Sequence, residues 1–318
     1  MTTLRRMIVA ILALLPLAAG IAFAEPDHGY KRIFIFGASF MDPGNHFAVT
    51  RETAHPPFEM IEFASYGIGG HRPTNGPTWV EVLAREMELT EWGKPAYRDP
   101  AFGNYAFAYG RAREVDFPIG YSLTKQVTDW KHNGYCTNVP MEDTLFIVDS
   151  GYADLLDITA AVAPPEPDFA AALEIMEGMA NSIAANIDDL YDCGARNLLF
   201  AYLPPVEYGP ISNGGLPPSQ IEPFLSWTYN NDYLRPIVVE PNLARMNISA
   251  VDLFLFFSGI VAMPEYYGFT NVTDACITPY VLKDAFCKNR DEYVFWDQLH
   301  PTKKVHALIA EHVLEQLP

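Results

Sequence analysis

Short apolar runs that end in Gly, Pro, Asp or Asn, with helical patterns between them, restrict the fold of this chain more than any other feature. Lys31–Phe36, Thr144–Val148, Asn197–Tyr202 and Ile248–Asp252 are apolar with little alternation, as strands buried on both faces are. Asn104–Ala108 resembles a further short strand. Helical patterns lie between them: Thr78–Glu86 just after Pro77, Leu123–Trp130 behind a Ser122 cap, and Asp168–Asp192, ended by Gly194. Leu225–Met246 reads as helix with breaks expected at Pro236 and Pro241, and a last helix is expected from Pro301 towards Leu317. Strands alternating with helices predict an α/β fold, a mostly parallel sheet covered on both faces. Ligands of such sheets sit outside the carboxyl ends of the strands, so the loops after Phe36 and Val148 and the Asn104 segment should share one crevice.

The N-terminus reads differently. Arg5 and Arg6 precede an apolar run from Met7 to about Ile21, and Ala22-Phe23-Ala24 is a small-x-small cleavage signature. Residues 1–24 therefore read as a secretory signal peptide and 25–318 as one domain. An uncleaved anchor is the rival reading, opposed by a run shorter than the roughly 20 residues that a span needs. Later apolar stretches are also too short to cross a bilayer.

Acidic side chains outnumber basic ones 39 to 21, a net charge of −18 that becomes −20 once Arg5 and Arg6 are lost. So acidic a chain repels phosphate backbones, which argues against nucleic acid as a partner. Asn247-Ile248-Ser249 and Asn271-Val272-Thr273 are glycosylation sequons and suit a secreted glycoprotein. In an oxidising compartment, Cys276 and Cys287 are near enough to clip the loop between them. Cys193 reads equally as a small buried free thiol, and Cys136 is left open. Neither the cysteines nor His28, His46, His55 and His71 have metal-ligand spacing, and no glycine-rich loop is set to cradle a phosphate, so no metal or organic cofactor is expected.

Chemistry concentrates at two distant points. The first strand stops at Gly37 and delivers Ser39 to a polar loop, Phe40-Met41-Asp42-Pro43-Gly44-Asn45. Near the other end, Trp296-Asp297-Gln298-Leu299-His300-Pro301-Thr302 sets a carboxylate and an imidazole three residues apart. A hydroxyl nucleophile needs a base, and the base needs an orienting carboxylate. Pro301 pushes His300 towards extended backbone and suits the first turn of a helix, so the imidazole should stand at a stiff helix entrance.

Taken in order, these blocks resemble the GDSL-type, or SGNH-hydrolase, esterases, most of all secreted plant and fungal members including carbohydrate acetylesterases. Phe36-Gly37-Ala38-Ser39 through Asn45 is similar to FGDSLSDTGN, and Thr74-Asn75-Gly76-Pro77-Thr78-Trp79-Val80-Glu81 to SNGPTWVE. Asn104-Tyr105-Ala106 and Ala108-Tyr109-Gly110 fall where the family writes NFA and GGA. Gly151-Tyr152-Ala153-Asp154 occupies the place of GxND, and Leu203-Pro204-Pro205 and Phe295–Thr302 resemble LPP and FWDxxHPT. The resemblance implies a three-layer α/β/α, flavodoxin-like fold with Ser39 as nucleophile, His300 as general acid and base, and Asp297 as its partner. It also implies an oxyanion hole of three donors: the Ser39 N–H, a glycine N–H assigned to Ala108, and the GxND asparagine side chain. Ala153 stands at that asparagine, and a methyl group donates nothing.

The expected activity is hydrolysis of a carboxylic ester by a secreted serine enzyme. Its substrate would be a small acyl ester or an acetylated carbohydrate, with lipid esters open and acyl transfer by the same acyl-enzyme also open. The alternative is an impaired member retained as a secreted binding module.

Overall fold

Four parallel strands form the central sheet: β1 (Arg32–Phe36), β4 (Thr144–Asp149), β5 (Asn197–Ala201) and β6 (Asn247–Val251), side by side in that order. Two small parallel pairs lie apart from it: β2 (Thr53–Ala54) with β3 (Ser65–Tyr66), and β7 (Asn271–Ala275) with β8 (Tyr293–Phe295). This computed structural model describes residues 28–61, 64–115, 121–149, 151–163, 165–211 and 222–318, and the expected signal peptide lies outside the described residues.

The free edge of β1 is partly paired. Ile35 N–H donates to Gly103 (3.0 Å), while Tyr105 and Phe107 donate to Ile35 (2.8 Å) and Gly37 (2.9 Å). The Asn104 segment thus runs parallel to β1 as a short edge strand. Counting it second in chain order, the sheet reads 2-1-3-4-5, the flavodoxin-like order, whose direction of winding reverses between β1 and β4. Such a switch point leaves a crevice at the strands' carboxyl ends, and Ser39 and Gly151–Asp154 both follow strands that flank it.

Helices flank the sheet in two groups. Trp79–Glu86 packs on Lys303–Leu314, while Leu123–His132, Leu155–Ala161 and Tyr229–Val239 pack on the long Phe169–Asp192. Ile33, Phe34, Ile35, Phe36, Phe146 and Ile147 are fully buried, and Trp130 sets its ring edge-on to Phe34 and Phe146. Burial on both faces explains why these strands lack polar alternation.

Local signals mostly act where they stand. Ser122 accepts from Lys125 N–H (3.2 Å), Thr78 and Glu81 form a capping box, and Gly194 is left-handed at φ 102°. The prolines do not break the Leu225–Met246 stretch: the helix Glu222–Thr228 widens into π-helical Tyr229–Val239, which carries Pro236, and then continues through Glu240–Asn242. The last helix starts later than expected, at Lys303, because Pro301 and Thr302 stay extended. Pro301 bridges to Phe295, and Thr302 N–H donates to Val294 (2.8 Å).

Cys276 is joined to Cys287, and Cys136 to Cys193, so Cys193 is not a free thiol. The second bridge ties Tyr135–Asn138 to the end of the long helix, a contact that chain spacing does not reveal. Both sequon asparagines lie at strand starts. Asn247 donates from Nδ2 to Asn197 (3.0 Å), and Asn271 to Asp274 (2.7 Å). No described helix is long and apolar enough to cross a membrane.

Candidate active site

The loop that carries Ser39 is held by side chains from three other elements. The Gln126 side-chain amide accepts from Gly37 N–H (2.8 Å) and donates to Gly37 carbonyl (3.0 Å). Asp149, the last residue of β4, accepts from Ala38 N–H (2.9 Å) with Oδ2 and from Gly151 N–H (2.9 Å) with Oδ1. One buried carboxylate therefore clamps the turn before Ser39 to the turn before Ala153. Gly37 is required for this closeness, since a Cβ there would lie 2.6 Å from the Asp149 carboxyl carbon. The burial that makes the clamp rigid also raises the Asp149 pKa, against the pull of its two N–H donors.

Asp42 does the same on the other side. It accepts from Gly44, Asn45, His46 and Ala108 N–H groups, the last at 2.7 Å, and burial pushes its pKa up to about 6 against those four donors. This is where the structure departs from the sequence reading. Ala108 spends its N–H on Asp42 and cannot offer it to a reacting oxygen.

The N–H aimed at Ser39 belongs to the next residue, Tyr109, which donates to Ser39 Oγ at 3.1 Å. Tyr109 is left-handed (φ 62°), a conformation that costs a tyrosine energy but a glycine little. The N–H beside Ser39 is thus that of Tyr109, not that of Ala108, to which the sequence reading assigned it. The buried Arg111 steadies this turn, donating from Nη1 to the Tyr109 carbonyl (3.0 Å) and from Nη2 to Asp157 (2.9 Å). The Ser39 N–H has no hydrogen-bond partner among the described residues.

The Asp297–His300 loop approaches from the C-terminal side. His300 Nδ1 lies 2.8 Å from Asp297 Oδ2, and Trp296 N–H closes the turn on the His300 carbonyl (2.8 Å). Burial alone would raise the Asp297 pKa; the charge and hydrogen bonds of His300 and the Leu299 N–H outweigh it and hold the carboxyl below its usual range. The TNGPTW stretch buttresses this loop: Thr74 Oγ1 donates to the Pro301 carbonyl (2.6 Å), and Asn75 Oδ1 accepts from Lys303 N–H (2.7 Å).

The Ser39 and His300 loops meet through two rings. Tyr109 stands edge-on to the His300 imidazole with centroids 5.8 Å apart, and Phe40, next to Ser39, lies 6.3 Å from the same ring. Ser39 and His300 are 4 % and 2 % exposed. Ala153 sits in the turn Tyr152–Asp154, whose Tyr152 ring packs on Phe40 at 4.6 Å. Asn104 is engaged on both side-chain atoms, its Nδ2 donating to the Met41 carbonyl (2.9 Å) and its Oδ1 accepting from Ala106 N–H (2.9 Å).

The family model described as GDSL-like lipase/acylhydrolase matches residues 33–313, nearly the whole described chain. The chain belongs to this family. It is 26% identical to the GDSL esterase/lipase EXL2 of Arabidopsis thaliana over 92% of this chain and 89% of that one. A second Arabidopsis thaliana GDSL esterase/lipase is 25% identical over 96% and 97%. The thermolabile hemolysin of Vibrio parahaemolyticus is 23% identical over 92% of this chain, but the chain spans only 65% of the hemolysin's length. The activity class that goes with the family is carboxylic-ester hydrolysis.

Sequence reasoning missed Gln126, Asp149 and Tyr66, whose hydroxyl donates to Asp297 Oδ2 (2.8 Å). Asp149 could have been found, since an aspartate closing a buried strand beside a glycine turn is a natural acceptor for loop amides. Tyr66 had no such signal.

Proposed function

We propose that this protein is a secreted serine esterase that works through an acyl-enzyme on Ser39. In this reading His300 takes the Ser39 hydroxyl proton as Oγ bonds to the substrate carbonyl carbon. The tetrahedral intermediate collapses as His300 returns that proton to the leaving alcohol, and the same imidazole then activates water to release the acid. Asp297 holds the imidazole by Nδ1 and offsets the charge that it acquires. The oxyanion receives two backbone donors, the N–H of Ser39 and that of Tyr109, with none from Ala153.

The observation that carries the reading is the Tyr109 N–H at 3.1 Å from Ser39 Oγ, on a residue whose ring also packs on His300. It supports a reading in which a hydroxyl, a charge-stabilising donor and an Asp-paired imidazole act together. Secretion is supported by the N-terminal leader pattern of residues 1–24 and by two disulfides, which form in oxidising compartments. For substrate, we favour a short acyl ester such as acetyl on a carbohydrate, from the family resemblance. Lipid esters are the next choice, since the relatives carry the names esterase/lipase and hemolysin.

The Ala153 methyl supports a second reading, a folded binding module with a decayed site. A fluorophosphonate probe separates the two. The serine esterase labels on Ser39 and the Ser39→Ala variant does not; a folded wild-type protein that never labels would sink the esterase reading.

A further inference from the structure

Asp297 is saturated. Its Oδ1 accepts from Leu299 N–H (2.8 Å) and His300 N–H (2.7 Å), and its Oδ2 accepts from His300 Nδ1 (2.8 Å) and the Tyr66 hydroxyl (2.8 Å). A carboxylate offers about four lone-pair sites, so four donors leave it neither spare capacity nor a reason to rotate. Three of those donors come from its own loop. The fourth arrives from β3, 231 residues away in the chain.

Tyr66 is itself firmly placed. Its N–H donates to the Arg72 carbonyl (2.9 Å), and its carbonyl accepts from His71 N–H (2.9 Å). Arg72 is ion-paired with Glu81 at the start of the helix Trp79–Glu86. The Tyr66 ring stands edge-on to Trp296, the residue before Asp297, at 5.9 Å. It is 6 % exposed, and burial first, with the negative charge of Asp297, pushes its hydroxyl well above the ordinary tyrosine range. It therefore stays protonated and can only help Asp297 by donating.

We propose that Tyr66 is a positioning residue that acts through Asp297, its hydroxyl fixing Oδ2 so that this oxygen, and not a rotated carboxylate, meets His300 Nδ1. The proposal rests on the serine-esterase reading for its catalytic consequence, but the contact itself does not depend on that reading. Without the hydroxyl, Oδ2 keeps one buried lone pair unfilled. The carboxylate can then turn, and its hydrogen bond to the imidazole proton weakens. The phenyl ring of Tyr66→Phe still packs on Trp296, so the fold survives.

Two measurements test this. With p-nitrophenyl acetate, Tyr66→Phe should lower kcat about tenfold with KM changed less than about twofold, the size expected when a hydrogen bond to a charged group is lost. In an Asp297→Asn background the same change should cost less than about twofold, because the two residues act as one unit. Equal losses in both backgrounds would mean that the Tyr66 hydroxyl does not act through Asp297, and would overturn the proposal. The second measurement needs no activity: the His300 Nδ1 proton resonance, recorded by NMR in Ser39→Ala protein, should move upfield when Tyr66 becomes Phe. An unmoved resonance also overturns the proposal. If the wild type hydrolyses nothing yet the resonance moves, the esterase reading fails and the Tyr66 contact stands.

Discussion

Ala153→Asn is the most informative single change. The clamp on Asp149 fixes where residue 153 lies relative to Ser39: one oxygen holds Ala38 N–H at 2.9 Å and the other holds Gly151 N–H at 2.9 Å. Ser39 follows directly on one side, and the Tyr152–Asp154 turn follows on the other. The Phe40–Tyr152 ring contact at 4.6 Å closes the same seam. An amide placed at 153 thus enters a turn tied to the one that carries Ser39, and in the proposed site it would join the donors of Ser39 and Tyr109. Losing one of three oxyanion donors typically costs about 2.7–4 kcal/mol of transition-state stabilisation, so restoring it has a ceiling of roughly 10²–10³ in rate. We expect kcat for p-nitrophenyl acetate to rise at least about tenfold, short of that ceiling because an added side chain must order itself, while KM stays within about threefold. Such a split is what a donor that acts mainly in the transition state produces. The assay is steady-state hydrolysis with burst titration of active Ser39, so that a change in the active fraction is not read as a change in rate. A folded Ala153→Asn protein with unchanged kcat would refute the reasoning: position 153 would then not face the oxyanion.

Other outcomes follow from named contacts. Asp149→Ala strands two buried N–H groups and should cost about 2–5 kcal/mol of stability in urea unfolding, with hydrolysis reduced because Ser39 and residue 153 lose their common anchor. The Cys136–Cys193 bridge closes a loop of 57 residues and Cys276–Cys287 one of 11, so chain entropy predicts losses of about 4 and about 3 kcal/mol on replacing each pair by serine. Stability against pH has a defined shape for four buried groups. Burial lowers His46 to about 4 and His306 to about 3, and raises Asp42 to about 6 and Asp154 to about 7. Near about pH 5 the unfolded chain holds two protons on the histidines and the folded chain two on the carboxylates, so these groups give no slope. Below about pH 4 the unfolded chain protonates the carboxylates as well, while the folded chain must charge buried imidazoles, so stability falls with falling pH. His306→Gln should shrink that acid loss in equilibrium denaturation; an unchanged loss would remove His306 as its source.

Why some of this was legible in the sequence, and some not, has a physical cause. Runs such as Ile33-Phe34-Ile35-Phe36 announce themselves, because a strand buried on both faces can carry no polar alternation. The proposed trio of Ser39, Asp297 and His300 stands out for a related reason: the chemistry admits few residue types, and Asp297 and His300 are close in the chain. What was lost is everything that a backbone donor decides. An N–H exists at every residue but proline, so side chains cannot say whether Ala108 or Tyr109 supplies it. That is set by which amide Asp42 captures, and Asp42 takes Ala108. The left-handed φ of Tyr109 is the trace of that choice, since a turn that spends one N–H on Asp42 must twist to aim the next at Ser39. A tyrosine is a costly occupant of such a turn, and its ring supplies a return that a glycine could not: an edge laid against the His300 imidazole. The same residue that aims a donor at Ser39 thereby closes the proposed site beside His300.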